Sequence, residues 1–250
     1  MKKYKILILV ALFSFSKEIY AQKTTEIGFF FAPSRVFATL KSRDNTFDEY
    51  VIYRNQNEPR RGGVFLGFTI ERPFLNNLKF RTGINLLFYG SSPSVRVATT
   101  DWHKLPNPDR VSVSERQENY FLTIPFHIRK DLFKLPINKT TKYMKSLNFK
   151  IYTIGGLEVG YMFNPVYLRT YELQSGEREI TENEFENSFD VNSFNILVEA
   201  GLGFQWTANK KIALSIEPSF NYTLFSIYRT GITERFGAYS TKFRVGFILN

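Results

Sequence analysis

The sequence predicts an all-β fold, an eight-stranded antiparallel β-barrel that spans a membrane. Three observations carry this. Residues 120–130 (YFLTIPFHIRK) are apolar at every second position, Tyr120, Leu122, Ile124, Phe126 and Ile128, with the mixed set Phe121, Thr123, Pro125, His127 and Arg129 between them. Strict alternation at period two marks a strand with two unlike faces, and about 9–11 residues is the length of a tilted strand that crosses a bilayer. The same design recurs along the chain, and the connections between its copies alternate long and short.

Composition agrees. The chain has 250 residues, enough for one domain, and no cysteine, which excludes disulfides, thiolate zinc sites and acylation at cysteine. Aromatic residues make up 17 %, with 26 Phe and 14 Tyr, yet mean hydropathy is only −0.22. Many aromatics at a mildly hydrophilic average suits a barrel whose lipid-facing and lumen-facing residues alternate. Residues 1–21 read as a secretory signal peptide: Lys2, Lys3 and Lys5 precede an apolar run over 6–15, and Ala21 supplies a small residue before Gln22. That run, about ten residues, is too short to span as a helix. Residues 22–250 are then the barrel domain. Export makes nucleic acid an unsuitable partner for the net charge of +10; lipopolysaccharide and lipid head groups of an outer membrane are the expected counter-charge.

The strands follow in order. Residues 26–32 form the first, with Ile27, Phe29 and Phe31 on one face, and the pattern fades near Pro33. Residues 39–61 read as a long polar loop, with an apolar patch at 50–53 that suits a short strand extension. The second strand, 63–72, puts Val64, Leu66, Phe68 and Ile70 outward and Phe65, Thr69 and Glu71 inward; residues 73–77, with Pro73 and paired Asn, make a tight turn. The third, 78–90, turns Leu78, Phe80, Ile84, Leu86 and Phe88 out and Lys79, Arg81, Gly83 and Asn85 in. A second polar loop covers 91–118. The fourth strand is 120–130, where Pro125 removes a ladder hydrogen bond and predicts a bulge or local break.

The lysine-rich stretch 131–147 leads to the fifth strand, 148–164, with Lys150, Tyr152, Gly156, Glu158 and Gly160 inward. Inward glycines leave room for larger neighbours in a narrow lumen. After an acidic loop over 165–191, the sixth strand, 193–206, turns Glu199, Gly201, Gly203 and Gln205 inward. A short turn at 208–210 precedes the seventh, 211–225, with Ser215, Glu217, Ser219 and Asn221 inward. A loop over 226–238 leads to the last, 239–249, with Lys242, Arg244 and Gly246 inward. Such a terminal apolar-alternating strand is what barrel-insertion machinery receives.

Eight is an even number, as bacterial barrels require, and long connections on one side with short turns on the other give the outside/periplasm asymmetry. Both termini then lie in the periplasm. Phe74, Phe80, Phe149 and Trp206 fall near the periplasmic ends and Phe88, Tyr89, Tyr161 and Phe163 near the outer ends, as two aromatic girdles. The segment 131–147 should be short and is not: either the strands run beyond the membrane or this basic segment serves a periplasmic or secretion partner.

The series YFLTIPFHIRK, GGLEVGY, EAGLGFQW and closing KFRVGFILN resembles the PorT-like outer-membrane β-barrel family of the Bacteroidetes lineage. Its most specific element is the Tyr-x-x-x-Ile-Pro core at Tyr120, Ile124 and Pro125, and the closing Asn250 departs from the terminal aromatic common in such barrels. The resemblance implies a small barrel of OmpA/OmpX-like size and, through the family's named member, a link to type IX secretion.

For chemistry, the face assignment turns Glu71, Arg81, Arg129, Lys150, Glu158, Glu199, Glu217, Lys242 and Arg244 into the lumen. Single charges there are costly to desolvate, so they are expected to pair, as a salt-bridged plug in an interior just wide enough for side chains. The runner-up is a small-solute porin with these groups as selectivity residues. A lipid-modifying enzyme is the third reading. It needs a histidine base beside a nucleophile, and the two histidines, His103 near Asp101 and His127 beside Arg129, carry no serine motif; His127 reads as a lumen hydrogen-bonding residue. The acidic run 177–186 lacks the spacing of a calcium loop. No cofactor is implied, and the expected protein is a non-enzymatic structural or interaction component.

Overall fold

Side-chain parity decides which face of each strand turns inward, and main-chain pairing closes the strands into a ring. In a computed structural model, the residues described are 24–43, 48, 51–52, 55, 61–75, 77–90, 97–98, 110–137, 147–182, 192–207, 211–227 and 232–249. They form β1 (Thr25–Ser42), β2 (Arg61–Leu75), β3 (Leu78–Gly90), β4 (Val97–Ala98), β5 (Arg110–Ile137), β6 (Leu147–Leu173), β7 (Arg178–Glu182), β8 (Phe194–Thr207), β9 (Ile212–Thr223) and β10 (Ile232–Leu249). Eight of these close the barrel in the order β1-β2-β3-β5-β6-β8-β9-β10, and β10 pairs back onto β1. The short β4 and β7 pair only with extensions of β5 and β6.

The register fixes the barrel's size. Directly paired residues run Glu26, Glu71, Arg81, His127, Gly156, Glu199, Asn221, Ala238 and back to β1 at Val36. The path returns ten residues along from Glu26, a shear of ten. For eight strands at the usual strand spacing this sets a tilt of roughly 40° and an interior filled by side chains.

The two faces invert the usual preference of a water-soluble protein. On β5, Leu122, Ile124, Phe126 and Ile128 are exposed, whereas Thr123, His127 and Arg129 between them are buried. Phe29, Leu66, Ile84, Leu157, Leu202, Leu214 and Phe243 continue the exposed apolar wall around the ring. A continuous apolar exterior around a charged interior is unstable in water and fits hydrocarbon. The fold is therefore that of a transmembrane barrel. Aromatic rings gather at both rims. Phe149 lies 5.4 Å from Trp206 at the short-turn end, and Tyr120 lies between Phe88 at 4.9 Å and Phe163 at 5.9 Å at the other.

The strand faces follow the sequence expectation, but the strand lengths do not. β1 runs through Pro33 to Ser42, because β10 continues beside it as far as Ile232. Residues 39–42 and 232–238 are thus strand and not loop. Val51 and Ile52 are helical, not a strand extension. Asn55 donates to the Leu40 carbonyl at 3.0 Å and accepts from the Leu40 amide at 3.2 Å, which ties this connection to β1. The tight turn is shorter than expected, since β2 continues to Leu75 and β3 starts at Leu78, and Asn77 takes the left-handed φ of 63° that such a turn requires.

The larger correction concerns β5 and β6. Their ladder extends from Arg110↔Leu173 to Ile137↔Leu147, with irregularities at Arg110/Ser112, Glu118/Tyr120 and Asp131/Phe133. So 110–118, 131–137 and 165–173 are strand, and main-chain pairing carries the hairpin beyond the apolar wall at both ends. Of the two explanations for 131–147, strand extension accounts for 131–137. At Pro125 the ladder to β6 is unbroken, while the ladder to β3 lapses between Thr82↔Phe126 and Asn85↔Thr123. Proline has no N–H to give, so the break falls on one side, without a bulge. The signal segment 1–21, the loop stretches 91–96 and 99–109 with His103, the lysines at 139, 142 and 145, residues 183–191 and the turn at 208–210 lie outside the described residues.

Candidate functional site

The lumen is filled in layers, each built from inward positions of neighbouring strands. At the short-turn end lies an ionic floor. Glu71 on β2 accepts from Lys79 Nζ at 2.8 Å, Arg81 Nε at 2.9 Å and Arg129 Nη1 at 3.0 Å. Arg81 forks onto Glu217 of β9, with Nη1 at 2.6 Å and Nη2 at 2.9 Å, the bidentate geometry that makes arginine–carboxylate pairs strong. Tyr152 donates its hydroxyl to Glu217, and the Arg129 guanidinium lies 3.5 Å over the Tyr152 ring. Arg129 also reaches Asp131 at 3.1 Å and Gln205 at 2.6 Å. Gln205 donates in turn to Glu26 at 3.2 Å, and Arg244 of β10 donates to Glu26 at 2.5 Å and to Thr69 at 3.0 Å. The connected groups come from all eight barrel strands.

Glycines make room for these long side chains. A Cβ at Gly203 would run into the Tyr152 ring, and one at Gly28 into the Arg244 guanidinium. This is the space-giving role expected of inward glycines. Below the floor an open vestibule of about 220 Å³ is lined by Glu26, Lys79, Asp131, Lys134, Lys150 and Gln205 among others. Lys150 stands at its edge, 3.8 Å from Asp131 and partly exposed.

A middle layer holds Glu158, Glu199, His127 and Lys242. Lys242 Nζ lies 2.5 and 2.6 Å from the two Glu199 oxygens. Glu158 accepts from Thr123 Oγ1 at 2.7 Å. His127 Nε2 faces both carboxylates, 3.5 Å from Glu158 and 3.8 Å from Glu199, and makes no hydrogen bond to any described residue. The imidazole faces the lumen, as its parity predicts.

Above this layer the filling turns apolar. Phe30, Val36, Phe65, Leu87, Phe121, Met162, Leu197, Ile227 and Phe236 form one buried cluster across the upper lumen. The parity of Phe65 and Phe121 points inward, but their gathering into one apolar layer depends on the register around the ring.

Every lumen residue selected from sequence faces inward. Glu71, Arg81, Arg129 and Glu217 come together in the floor, while Arg244 joins it through Glu26 and Lys150 through Asp131. Glu158 and Glu199 stand apart in the middle layer. Glu26, Lys79, Asp131, Tyr152 and Gln205 complete the floor. The alternation predicts an end at Lys130, and one more step of period two beyond Arg129 reaches Asp131. In the floor and middle layers six carboxylates (Glu26, Glu71, Asp131, Glu158, Glu199, Glu217) face six cations (Lys79, Arg81, Arg129, Lys150, Lys242, Arg244). The two signs match in number across the two layers taken together.

No family model and no curated protein matches the chain. Solved structures similar to it include Neisserial surface protein A (11 % identity, 88 % of this chain and 96 % of that one, TM-score 0.39). Others are Ail, the attachment invasion locus protein of Yersinia pestis, in complex with the heparin analogue sucrose octasulfate (13 %, 92 % and 100 %, 0.35), and the outer membrane protein OprG from Pseudomonas aeruginosa (9 %, 92 % and 97 %, 0.36). The barrel assignment rests on the closed register and draws nothing from these likenesses.

Proposed function

We propose that this protein is a sealed, non-enzymatic barrel of a Gram-negative outer membrane, an anchor that presents the segments projecting from its two ends. The observation that carries this reading is the ionic floor: Arg81, Arg129, Glu71 and Glu217 are almost wholly buried and bind one another across the lumen. A conducting pore keeps its lining charges wet; here they are desolvated and paired, with an apolar layer stacked on top. The exported location follows from the reading of residues 1–21 as a signal peptide, and the apolar exterior supports insertion among outer-membrane lipid and lipopolysaccharide.

Planar-bilayer recording of the refolded protein tests this reading, after heat-modifiable migration on a gel has confirmed that a barrel has formed. A silent membrane is expected; steady single-channel current would overturn the seal in favour of a small-solute porin.

The work then falls to the projecting segments. The basic segment 131–147, of which 131–137 continue β5, is offered to a periplasmic partner, and a place in type IX secretion is the version that the PorT-like resemblance supports. Replacing 138–146 with a short neutral turn should leave the barrel inserted and abolish that partnership. Unchanged secretion and surface display would remove it.

A further inference from the structure

The middle layer contains a group that pairing within the lumen does not explain. His127, Glu158 and Glu199 stand on three consecutive staves of the barrel, β5, β6 and β8. All three are buried, and one ligand atom of each lies within 4.8 Å of the others. Gly156 is the direct cross-strand partner of both His127 and Glu199. A Cβ there would come within 2.8 Å of His127 Cα and 3.0 Å of its ring. The missing side chain opens the space over which the imidazole and the Glu199 carboxylate meet.

The distances discriminate between a proton and a metal ion. His127 Nε2 is 3.5 Å from Glu158 and 3.8 Å from Glu199. Good N–H···O hydrogen bonds need about 2.7–3.2 Å, so neither contact is one. An ion about 2.0–2.2 Å from each donor, as zinc is from imidazole and carboxylate, places its ligands at separations of this size. The Nε2 atom is buried and makes no hydrogen bond to any described residue. An unpaired ring nitrogen is costly to keep in such a place, and a ligand bond is what it lacks.

Charge points the same way. Lys242 is the cation of this layer, against the two carboxylates Glu158 and Glu199. Lys242 pairs with Glu199, and among the described residues no lysine or arginine pairs with Glu158. A divalent ion neutralises both carboxylates. Thr123, which donates to Glu158, and Lys242, which donates to Glu199, orient the two carboxylates as outer partners of a metal site do.

We propose that His127, Glu158 and Glu199 bind one divalent first-row metal ion, zinc being the best match to one imidazole and two carboxylates, and that the ion clamps β5, β6 and β8 together. The site lies between the ionic floor and the apolar layer, so the ion must enter before the barrel closes.

The test is to refold the full chain with and without zinc chloride, remove free metal by gel filtration and measure bound zinc by elemental analysis. About one ion per chain is expected in the wild type, with at least roughly a tenfold loss in His127→Ala and in Glu158→Gln, the scale on which disturbing a metal shell acts. Lys150→Ala, at the mouth, should retain the zinc. A wild type that emerges without zinc, or a His127→Ala barrel that retains it, overturns the site. Should His127→Ala not give a heat-modifiable barrel, the wild type refolded with cobalt(II) decides: a visible absorption of low-symmetry, four-coordinate cobalt supports the site, and the spectrum of hydrated cobalt overturns it.

Discussion

The lower and upper halves of the lumen solve one problem with opposite chemistry. Both are lined by inward positions of the same strands, at the same parity and diameter. Below, the space is filled by arginine, lysine, glutamate and tyrosine in a hydrogen-bonded web. Above, it is filled by Phe30, Phe65, Leu87, Phe121 and Leu197. An apolar layer is forgiving, because a neighbour can relax into part of a missing volume. An ionic layer is not, because each deletion strands a charge in a dry interior. The comparison teaches that the floor sets which strands may be neighbours, while the upper layer adds cohesion without choosing among them.

Four substitutions can break or sharpen this contrast. The largest effect is expected from Arg81→Ala, which leaves both Glu71 and Glu217 without their shared partner; a loss of about 3–5 kcal/mol is expected for a broken buried pair. Urea unfolding in lipid vesicles, followed by tryptophan fluorescence, measures it. The paired change Arg81→Met with Glu217→Leu should be less harmful than either single change, since no lone charge remains. If the double variant is worse than both, the floor owes its strength to shape and not to charge pairing. Next comes Leu197→Ala in the apolar layer, at about 2–5 kcal/mol. Its cost should be insensitive to pH, whereas floor variants should change with the protonation of the acid left behind.

Gly203→Ala comes third, at about 1–3 kcal/mol for overpacking, since the added methyl displaces the Tyr152 ring and with it the stack under Arg129. A loss of stability confined to the wild-type Tyr152 background, kept in Tyr152→Phe and relieved by Tyr152→Ala, which lacks the ring, would sharpen that account. The smallest effect is expected from Lys150→Ala, about 0–1 kcal/mol, because its contact with Asp131 is long and half in water. A large loss there would mean that the vestibule belongs to the floor.

How much of this could be read from the chain follows from which forces write into sequence. Parity does: alternation along 120–130 placed Thr123, His127 and Arg129 inward, and the same rule placed Glu158, Glu199 and Glu217. Strand ends do not, where main-chain pairing alone extends them. Nothing in the polar run 110–118 distinguishes strand from loop until 166–173 is seen beside it. Layering is legible only after the register is known. Phe121 and Arg129 share one face of one strand, and the stagger of ten residues around the ring decides which neighbours each meets. The convergence of His127, Glu158 and Glu199 belongs to this last kind, since the three are distant in sequence and meet only through the pairings of Gly156.

The length of the β5–β6 ladder has a mechanical consequence. A strand of 28 residues, at about 3.3 Å per residue, is far longer than a hydrophobic layer about 25 Å tall, even allowing for its tilt. This pair emerges on both sides as one hydrogen-bonded ribbon, while its neighbours stop near the rims. The irregularities at Glu118/Tyr120 and Asp131/Phe133 fall where pairing with β3 ends, and a bulge bends the strand that carries it, so each projecting length takes its own direction at the rim.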